Sequence, residues 1–426
     1  MCSIQATGRP TAAAPRRPSV VAGPHASGGQ AGEPVPRDAR AVDDDVPGAV
    51  ARELRDLLAG RLAECRGLDP VFAGDIADRV DRFTRRGGRR IRARMLWWSL
   101  RACGGGDTAQ VRVALRTAAA LELIQTCALV HDDLMDRAPT RRGAPALHAD
   151  VAGQYTGTVP EAAAHRLGTS AAMLAGDLAL AWADDALTGV LRDPALPDGT
   201  AHRLAGVWRG LRTEMVAGQY LDVHGQATSA HSMARSMRAA YLKSALYTVE
   251  RPLELGAVLA GADAATAGTL RRAGRSAGLA FQLRDDLDDL FADPRVTGKP
   301  SGGDVREGKP SYPLAVARAL ATGAGDRTAL GVLRYAVGRA DLTDGELADV
   351  REVVRTTGAL ELVETRIARL TEQCLHHLHE PVLAPGAAAR LRGLLSEITG
   401  CRAQVPEPAG RPPATAPAAT ATEAGR

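Results

Sequence analysis

The segment from Val111 to Leu134 constrains the fold of this chain more than any other. Its residues, VRVALRTAAALELIQTCALVHDDL, are apolar on nearly every side of a predicted helix. A helix that is apolar all round belongs in the interior of a protein, where other elements cover each of its faces. We therefore expect a buried core helix that is enclosed by further helices.

Helical patterns continue on both sides of this core helix. Leucines recur at helical spacing before it, at Leu54, Leu57, Leu58 and Leu62. Five segments after it have helical character, at 204–223, 237–260, 267–291, 312–321 and 345–376. Aromatic residues make up only 3% of the chain, and the abundant Ala, Leu and Arg favour helix. The predicted fold class is all-α.

The chain divides into one long helical domain and two flanking segments. Residues 1–46 and 403–426 are rich in Gly, Pro and Ala and have no hydrophobic period, which is typical of disorder. The intervening residues, 47–402, have no obvious linker and predict a single large helical bundle. We find no apolar run of the roughly 18 residues that a membrane span needs, so we expect no stable membrane insertion. Scattered cysteines without metal-binding spacing fit a reducing compartment, the cytoplasm.

Two acidic motifs of the same spacing each end an apolar helical stretch. Asp132 and Asp136 are four residues apart in the first motif, and Asp285 and Asp289 are four apart in the second, about 150 residues later. Residues at this spacing share one face of a helix. Facing each other, the two helices would gather six or more carboxylates around a central cavity. Burying these charges without a partner is costly, and Mg²⁺, which prefers oxygen ligands and bridges to phosphates, offsets that cost.

Cationic residues accompany both acidic motifs. Arg141 and Arg142 follow the first, and Lys299 and Lys309 follow the second in a glycine-rich loop. A cluster of seven arginines between Arg82 and Arg94 surrounds a Gly-Gly turn. Arginine forks and lysine point charges bind phosphate oxygens, and glycine lets the backbone approach them. Carboxylates that bind metal ions would hold one diphosphate, and cations without a metal would hold another. This arrangement indicates two phosphorylated substrates.

Taken together and in this order, the motifs resemble those of the trans-isoprenyl diphosphate synthases, the polyprenyl synthetase family. The matching segments are GGRRIRA, LELIQTCALVHDDLMD, RRG, GAPALH, Lys243-Ser244, FQLRDDLDD and GKPSGGDVREGKPSYP, with Glu214, Gly218, Gln219 and Asp222 between them. The resemblance implies an all-α bundle of the isoprenoid synthase type. It also implies a prenyltransferase that condenses isopentenyl diphosphate with allylic diphosphates, head to tail and in trans, and that acts as a homodimer.

The resemblance also implies roles for individual residues. Three Mg²⁺ ions would be bound by Asp132, Asp136 and Asp285, with Asp289 as a further candidate. The allylic diphosphate would be held by Arg141, Lys243, Ser244, Gln282 and Lys299, and isopentenyl diphosphate by Arg89, Arg92, Gln125 and Arg142. Lys309 falls at a matching family lysine. Of these, Asp132, Asp136, Asp285, Lys243 and Lys299 are the predicted catalytic residues.

Some positions depart from the family pattern. Arg89 replaces the usual lysine of the glycine turn, Ala93 the usual proline, Ser244 the usual threonine, and Gln125 a position often held by histidine. Arginine keeps the charge of lysine but changes reach and geometry. These departures bear on the affinity for isopentenyl diphosphate more than on the reaction.

The length of the product is predicted from the floor of the chain-binding pocket. In the family, the residues just before the first acidic motif form that floor, and here they are Cys127 and Ala128, which are both small. Small residues let the growing chain pass deeper, so the resemblance favours geranylgeranyl diphosphate, a C20 product. A C15 or longer product remains the alternative.

Other functions are less consistent with the residues. A terpene cyclase would need a second metal motif of a different type, and an HD-type phosphohydrolase would need additional metal-binding histidines. A nucleic-acid-binding module would need aromatic residues interleaved with the arginines, so we expect no nucleic acid partner. A catalytically silent subunit of a heteromeric prenyl synthase is the second alternative, although both acidic motifs are intact.

Overall fold

The computed structural model describes residues 38–228, 233–293, 301–309 and 311–400. Lys299 therefore lies outside the described residues. The two predicted terminal segments also lie outside them, apart from residues 38–46. The first half consists of helices α1 to α8, a π-helical turn, π1, and a two-stranded hairpin. Their bounds are α1 Ala39–Asp44, α2 Val46–Leu68, α3 Pro70–Phe72, π1 Ala73–Ala77, α4 Asp78–Arg86, α5 Ile91–Ala102, α6 Thr108–Met135, β1 Thr140–Arg141, β2 Ala144–Pro145, α7 Leu147–Gln154 and α8 Glu161–Leu191.

The second half is also helical and contains a ten-residue π-helix, π2. Its elements are α9 Thr200–Thr228, α10 Met233–Ala240, π2 Tyr241–Glu250, α11 Arg251–Leu259, α12 Ala264–Phe291, α13 Gly303–Glu307, α14 Tyr312–Ala324, α15 Arg327–Ala336, α16 Asp344–Thr356, α17 Ala359–His377 and α18 Pro385–Thr399. Strand structure in the described ranges is limited to the hairpin, so the predicted all-α class is confirmed.

Helix α6 is the central element of the bundle, as its apolar pattern predicts. It runs from the capping residue Asp107, whose side chain accepts from the Gln110 amide, to the first acidic motif. Leu121, Leu123 and Ile124 are fully buried in the largest core cluster. Among the described helices, α6 alone is long and apolar enough to cross a membrane, which corrects the expectation that no apolar run reaches this length. Within the protein 78% of that stretch is buried.

Helix α8 packs along α6. Its buried face is made largely of small residues, namely Ala164, Gly168, Ala171, Ala172, Ala175, Gly176 and Ala179. Small side chains let the two helix axes approach closely. They also weaken the contrast between the faces of the helix, so leucine periodicity does not predict this 31-residue helix.

The ordered domain begins earlier than predicted. Helix α1 lies within the segment 1–46, which we expected to be disordered, and it begins at Ala39. Ala39 and Val42 are buried in the main core. Asp43, in the same helix, accepts hydrogen bonds from Trp97 and Arg101. These contacts anchor α1, so the predicted boundary at residue 47 is corrected to the start of this helix.

Two predicted helices differ from the structure at internal breaks. The segment 345–376 is divided between α16 and α17, because Gly358 adopts a left-handed backbone with φ of 79°. The segment 237–260 comprises the end of α10, then π2, then α11. A π-helix closes its hydrogen bonds over five residues rather than four and often lies at functional sites. Helix periodicity in the sequence does not distinguish it from an α-helix.

Candidate active site

The first acidic motif lies where the end of α6 meets α9 and π2. The Asp132 carboxylate accepts hydrogen bonds from Lys243 Nζ at 3.0 Å and from Gln219 Nε2 at 3.1 Å. Lys243 also donates to Asp222, at 2.7 Å. Burial would raise the pKa of Asp132, but the cations Lys243, Lys309 and Arg141 lower it to about 2. Asp132 is therefore a permanently ionised carboxylate whose negative charge is already matched by cations.

The hairpin after α6 brings arginine to this carboxylate. Its two-residue loop, Arg142-Gly143, has positive φ at both positions, 52° and 73°, as in the tight turns that suit hairpins. Arg141 donates from Nε to Asp133 at 2.6 Å and from Nη2 to Asp132 at 3.2 Å. Burial raises the pKa of Asp133, whose Oδ2 has no hydrogen-bond partner in the described part of the chain.

Lys309 connects the two acidic motifs. Its ammonium lies 2.8 Å from Asp136 in the first motif, 2.6 Å from Glu307 and 3.9 Å from Asp304. Burial alone would lower the pKa of Lys309, but the carboxylates of Asp304, Asp136 and Glu307 raise it. The backbone amide of Asp304 in turn donates to Asp289 of the second motif, at 3.2 Å. The predicted proximity of the two motifs is thus present in the structure.

The second motif divides into exposed and buried carboxylates. Asp285 is exposed. Asp286 is buried and accepts from Gln282 Nε2 at 2.6 Å and from the Tyr312 amide at 3.1 Å, and burial raises its pKa to about 7. Gln282, expected to bind the allylic diphosphate, therefore holds Asp286 in this structure.

Asp289 holds the start of α13. Its two carboxylate oxygens accept from the amides of Gly303 at 3.1 Å and Asp304 at 3.2 Å. Its backbone carbonyl accepts from the Gly302 amide at 2.8 Å. Burial raises its pKa. In this structure Asp289 anchors α13, and its role as a further Mg²⁺ ligand stays a prediction.

The Gly-Gly turn before α5 is clamped between two arginines. The Arg90 guanidinium lies 2.8 Å from where a Cβ of Gly87 would be, and Arg142 donates to the Gly87 carbonyl. Arg90 is buried, has a left-handed φ of 47° and donates to the buried Glu122 of α6 at 2.9 Å. Burial raises the pKa of Glu122, and the guanidinium groups of Arg90, Arg92 and Arg142 oppose that rise. The Glu122 carboxylate thus anchors the Gly-Gly turn through Arg90.

The residues expected to bind isopentenyl diphosphate lie at different depths. Arg92 stacks on the Tyr247 ring, 4.2 Å from its centroid, and donates to Thr248 at 2.7 Å. Burial lowers the pKa of Arg92. Its Nε and the Oε1 of Gln125 are buried with no hydrogen-bond partner among the described residues.

Arg89 is more exposed than Arg92 and Gln125, which are both half-buried. It is exposed and lines a cavity of about 310 Å³. Asp285 and Asp288 of the second acidic motif line the same cavity, together with Phe281 and Arg284. The structure therefore places Arg89 beside the acidic motif from which the sequence separates it by almost two hundred residues.

The acidic motifs fit a hard divalent cation by their chemistry. Asp132, Asp136 and Asp285 offer oxygen donors only, which Mg²⁺ prefers. Among the described residues no three His, Cys, Asp or Glu side chains are close enough to enclose a metal ion. The ammonium groups of Lys243 and Lys309 are paired with two of these carboxylates, Asp132 and Asp136. The charges of Asp132 and Asp136 are thus balanced by the ammonium groups of Lys243 and Lys309 in this structure.

The floor residues lie on different faces of α6. Ala128 is one turn before Asp132 and shares its face, since residues four apart are neighbours on a helix. Cys127 is buried and its Sγ is 3.8 Å from His131 Nδ1. His131 bonds the Met173 carbonyl of α8 at 3.1 Å. Cys127 thus contacts a histidine that is bonded to α8, whereas Ala128 is half-buried against the main core.

Several residues of the site had no assigned role in the sequence prediction. Gln219 and Asp222 lie within about one turn of Gly218 on α9. This spacing is the sequence signal that could have identified Gln219 and Asp222 as site residues. Asp304 and Glu307 lie in a short helix that the sequence pattern does not reveal. Ser244 adjoins Lys243 in π2, as expected.

Comparison with known proteins agrees with these motifs. The profile of the polyprenyl synthetase family matches residues 75–344. The chain is 32% identical to the geranylgeranyl diphosphate synthase of Methanosarcina mazei over 238 residues, 56% of this chain and 65% of that relative. It is 30% identical to the (2E,6E)-farnesyl diphosphate synthase of Mycobacterium bovis over 311 residues, 73% of this chain and 79% of that relative.

Solved structures have the same fold. The geranylgeranyl pyrophosphate synthase of Corynebacterium glutamicum, in a crystal structure with isoprenyl diphosphate and magnesium, superposes with a TM-score of 0.77. The two sequences are 36% identical, and the match covers 84% of this chain and 99% of that one. The fold of this chain is thus that of an enzyme crystallised with a diphosphate and a divalent metal ion.

Proposed function

This chain belongs to the polyprenyl synthetase family of prenyltransferases, and from this premise we propose that it makes geranylgeranyl diphosphate. The substrates are isopentenyl diphosphate and allylic diphosphates, as in the family. The observation that carries the proposal is the pairing of Lys243 with Asp132 at 3.0 Å and of Lys309 with Asp136 at 2.8 Å. Cations and carboxylates converge there on a space that suits one metal-bound diphosphate.

The allylic diphosphate binds at the first acidic motif. Lys243, Arg141 and Lys309 supply ammonium and guanidinium donors to its oxygens, and each is now held by a carboxylate of the site. Asp132, Asp136 and Asp285 would hold Mg²⁺, which, when bound, supplies positive charge that stabilises the leaving diphosphate. Lys299 is the further cation that we propose for this substrate.

Isopentenyl diphosphate binds on the arginine side of the cavity. Arg89 is exposed, Arg142 is held on the glycine turn, and Arg92 is half-buried, with its buried Nε unpaired among the described residues. A buried, unpaired guanidinium N–H is costly, and a diphosphate oxygen is the partner that satisfies it. Gln125, which also lacks a partner in the described ranges, adds a second polar contact.

The reaction that these two sites support breaks one bond and forms another. The allylic C–O bond ionises, and its electrons leave with the diphosphate. The alkene of isopentenyl diphosphate attacks the allylic cation and forms the new C–C bond, and a proton leaves to the released diphosphate. The chain's own residues hold both diphosphates in register and stabilise the departing charge, which accounts for catalysis by positioning and electrostatics.

The experiment that tests this function is product analysis. Purified protein is incubated with labelled isopentenyl diphosphate and, separately, with C5, C10 and C15 allylic diphosphates, with Mg²⁺ or with EDTA. We expect elongation with Mg²⁺, a C20 product, and no elongation with EDTA. A C15 product, or one longer than C20, contradicts the length assignment. No elongation from any primer contradicts the function and favours the silent-subunit alternative.

The product length is expected to depend on Ala128 more than on Cys127. Ala128→Phe places a ring on the face of α6 that carries Asp132 and blocks the growing chain, so we expect the main product to shorten from C20 to C15. Cys127→Phe is measured beside it. Because Cys127 contacts His131, which bonds α8, we expect this substitution to shorten the product less. Chromatography of the dephosphorylated products decides between them. An unchanged C20 product from Ala128→Phe contradicts this placement of the floor.

We propose a homodimer, as the family resemblance implies. Large apolar side chains are exposed on two neighbouring helices, with Leu167 and Leu174 on α8 40% and 59% exposed and Val216 and Tyr220 on α9 62% and 66% exposed. Burying such a surface favours association. Light scattering on purified protein tests the assembly.

The free cysteines Cys65, Cys103, Cys127 and Cys374 fit our prediction of a cytoplasmic location.

A further inference from the structure

Helix π2 carries Lys243 and is enclosed by glycines on two sides. Gly218 of α9 faces the start of π2, and Gly274 and Gly278 of α12 face its later turns. A glycine inside a helix costs about 0.5–1 kcal/mol relative to alanine. When it is found there, close packing is a common reason.

The approach at Gly218 leaves no space for a side chain. A Cβ at this position would lie 2.4 Å from the backbone nitrogen of Lys243 and 2.7 Å from its Cα. The obstacle is backbone rather than the end of a flexible side chain, so it has no rotamer by which to move away. Any larger residue at 218 must therefore displace the backbone of Lys243 itself.

The opposite side of π2 is equally close. A Cβ at Gly278 would lie 2.6 Å from the Cα and the carbonyl oxygen of Ala245, and one at Gly274 would lie 2.8 Å from the Cα of Glu250. The wider turn of a π-helix needs more room than an α-helix does. With glycines of both helices against it, π2 packs closely on α9 and on α12, and its backbone cannot shift toward either helix without meeting that helix.

We propose that Gly218 is a positioning residue that acts through Lys243. Because Gly218 has no side chain, the backbone of π2 can approach α9 this closely. That approach places the Lys243 ammonium between Asp132 and Asp222, at 3.0 Å and 2.7 Å. A displaced backbone moves the ammonium away from the place where a diphosphate meets the first acidic motif. The inference rests on the proposed diphosphate site and concerns one residue that determines its geometry.

The test is a double-mutant cycle that measures binding of inorganic diphosphate in the presence of Mg²⁺ by calorimetry. The variants are Gly218→Ala, Lys243→Ala and the double variant. We expect Gly218→Ala to weaken binding by about tenfold or more, the scale of one charge-assisted hydrogen bond. In the Lys243→Ala background we expect the same substitution to cost less than about twofold, because residues that act as a unit are non-additive.

The matched control is Gly210→Ala on the same helix. The atom nearest to a Cβ at Gly210 is Glu214 Oε1, at 3.9 Å, so this substitution is expected to leave binding unchanged. Equal losses from Gly218→Ala in both backgrounds, or no loss at all, overturn the inference. Absence of diphosphate binding by the wild-type protein instead contradicts the proposed function.

A second variant keeps the inference testable if Gly218→Ala does not fold. Gly278→Ala presses on Ala245, two residues after Lys243, from the α12 side. We expect it to reproduce the non-additive loss of diphosphate binding. Gly268→Ala, on the same helix but 3.5 Å from the nearest atom, Arg272 Nη1, is its control. Wild-type binding by a folded Gly278→Ala protein contradicts the inference that π2 must be held on both sides.

Discussion

Asp132→Asn is expected to lower kcat/KM for the allylic substrate by about a thousandfold, the upper range for loss of one preorganised electrostatic contact. Asp132 is ionised at every physiological pH, since the surrounding cations hold its pKa at about 2. Asparagine has almost the same shape but no charge. It cannot serve as an anionic metal ligand, and it leaves Lys243 with Asp222 as its anionic partner. Steady-state incorporation of labelled isopentenyl diphosphate measures the effect.

The control for this substitution is Asp349→Asn. Asp349 is exposed on α16, outside the residues assigned to the site, so its variant should retain wild-type turnover. Circular dichroism of both variants checks that the helical bundle is intact. A loss of less than about tenfold for a folded Asp132→Asn protein contradicts the assignment of Asp132 to the reacting diphosphate.

Glu122→Gln is expected to destabilise the protein by about 3–5 kcal/mol, the usual cost of removing one partner of a buried ion pair. Its carboxylate lies 2.9 Å from Arg90, and both side chains are at most 9% exposed. The substitution leaves the Arg90 charge buried without its counter-ion. The glycine turn is then held less firmly, so the affinity for isopentenyl diphosphate should fall as well. Urea unfolding measures the first effect, and KM for isopentenyl diphosphate measures the second.

Glu372→Gln is the comparison for this stability measurement. Glu372 is exposed on α17, and substitutions at such surface positions usually change stability by less than about 0.5 kcal/mol. The double variant Glu122→Gln/Arg90→Met removes both charges. We expect it to lose less than the sum of the two single variants, because the pair is coupled. Strict additivity would show that Arg90 and Glu122 stabilise the turn independently.

The parts of the site that the sequence predicts best are those with strong local patterns. Asp132 and Asp136 end an apolar helix, and the Arg141-Arg142-Gly143 run forms the hairpin turn that its glycine favours. The all-α class and the central position of α6 follow from hydrophobic periodicity in the same way. Each of these features depends on residues within one or two turns of each other, which is the range that sequence patterns encode directly.

The features that the sequence did not reveal depend on contacts between distant segments. Lys309 bonds Asp136 across 173 positions of the chain, and no local pattern indicates that pairing. Asp289 has the spacing of a metal ligand but binds backbone amides of the loop that folds over it. The backbone of π2 packs directly against glycines of two other helices, a contact between distant segments that helix periodicity does not encode. Tertiary packing decides all three.

The most direct test of the account is the stoichiometry of a single turnover. Enzyme in excess is mixed with farnesyl diphosphate, Mg²⁺ and labelled isopentenyl diphosphate, then quenched, and both inorganic diphosphate and prenyl products are measured. The account predicts one diphosphate released for each new C–C bond, with a labelled C20 diphosphate as product. Release of diphosphate without a longer labelled chain would contradict it, because the site would then ionise the allylic substrate without holding the second one for condensation.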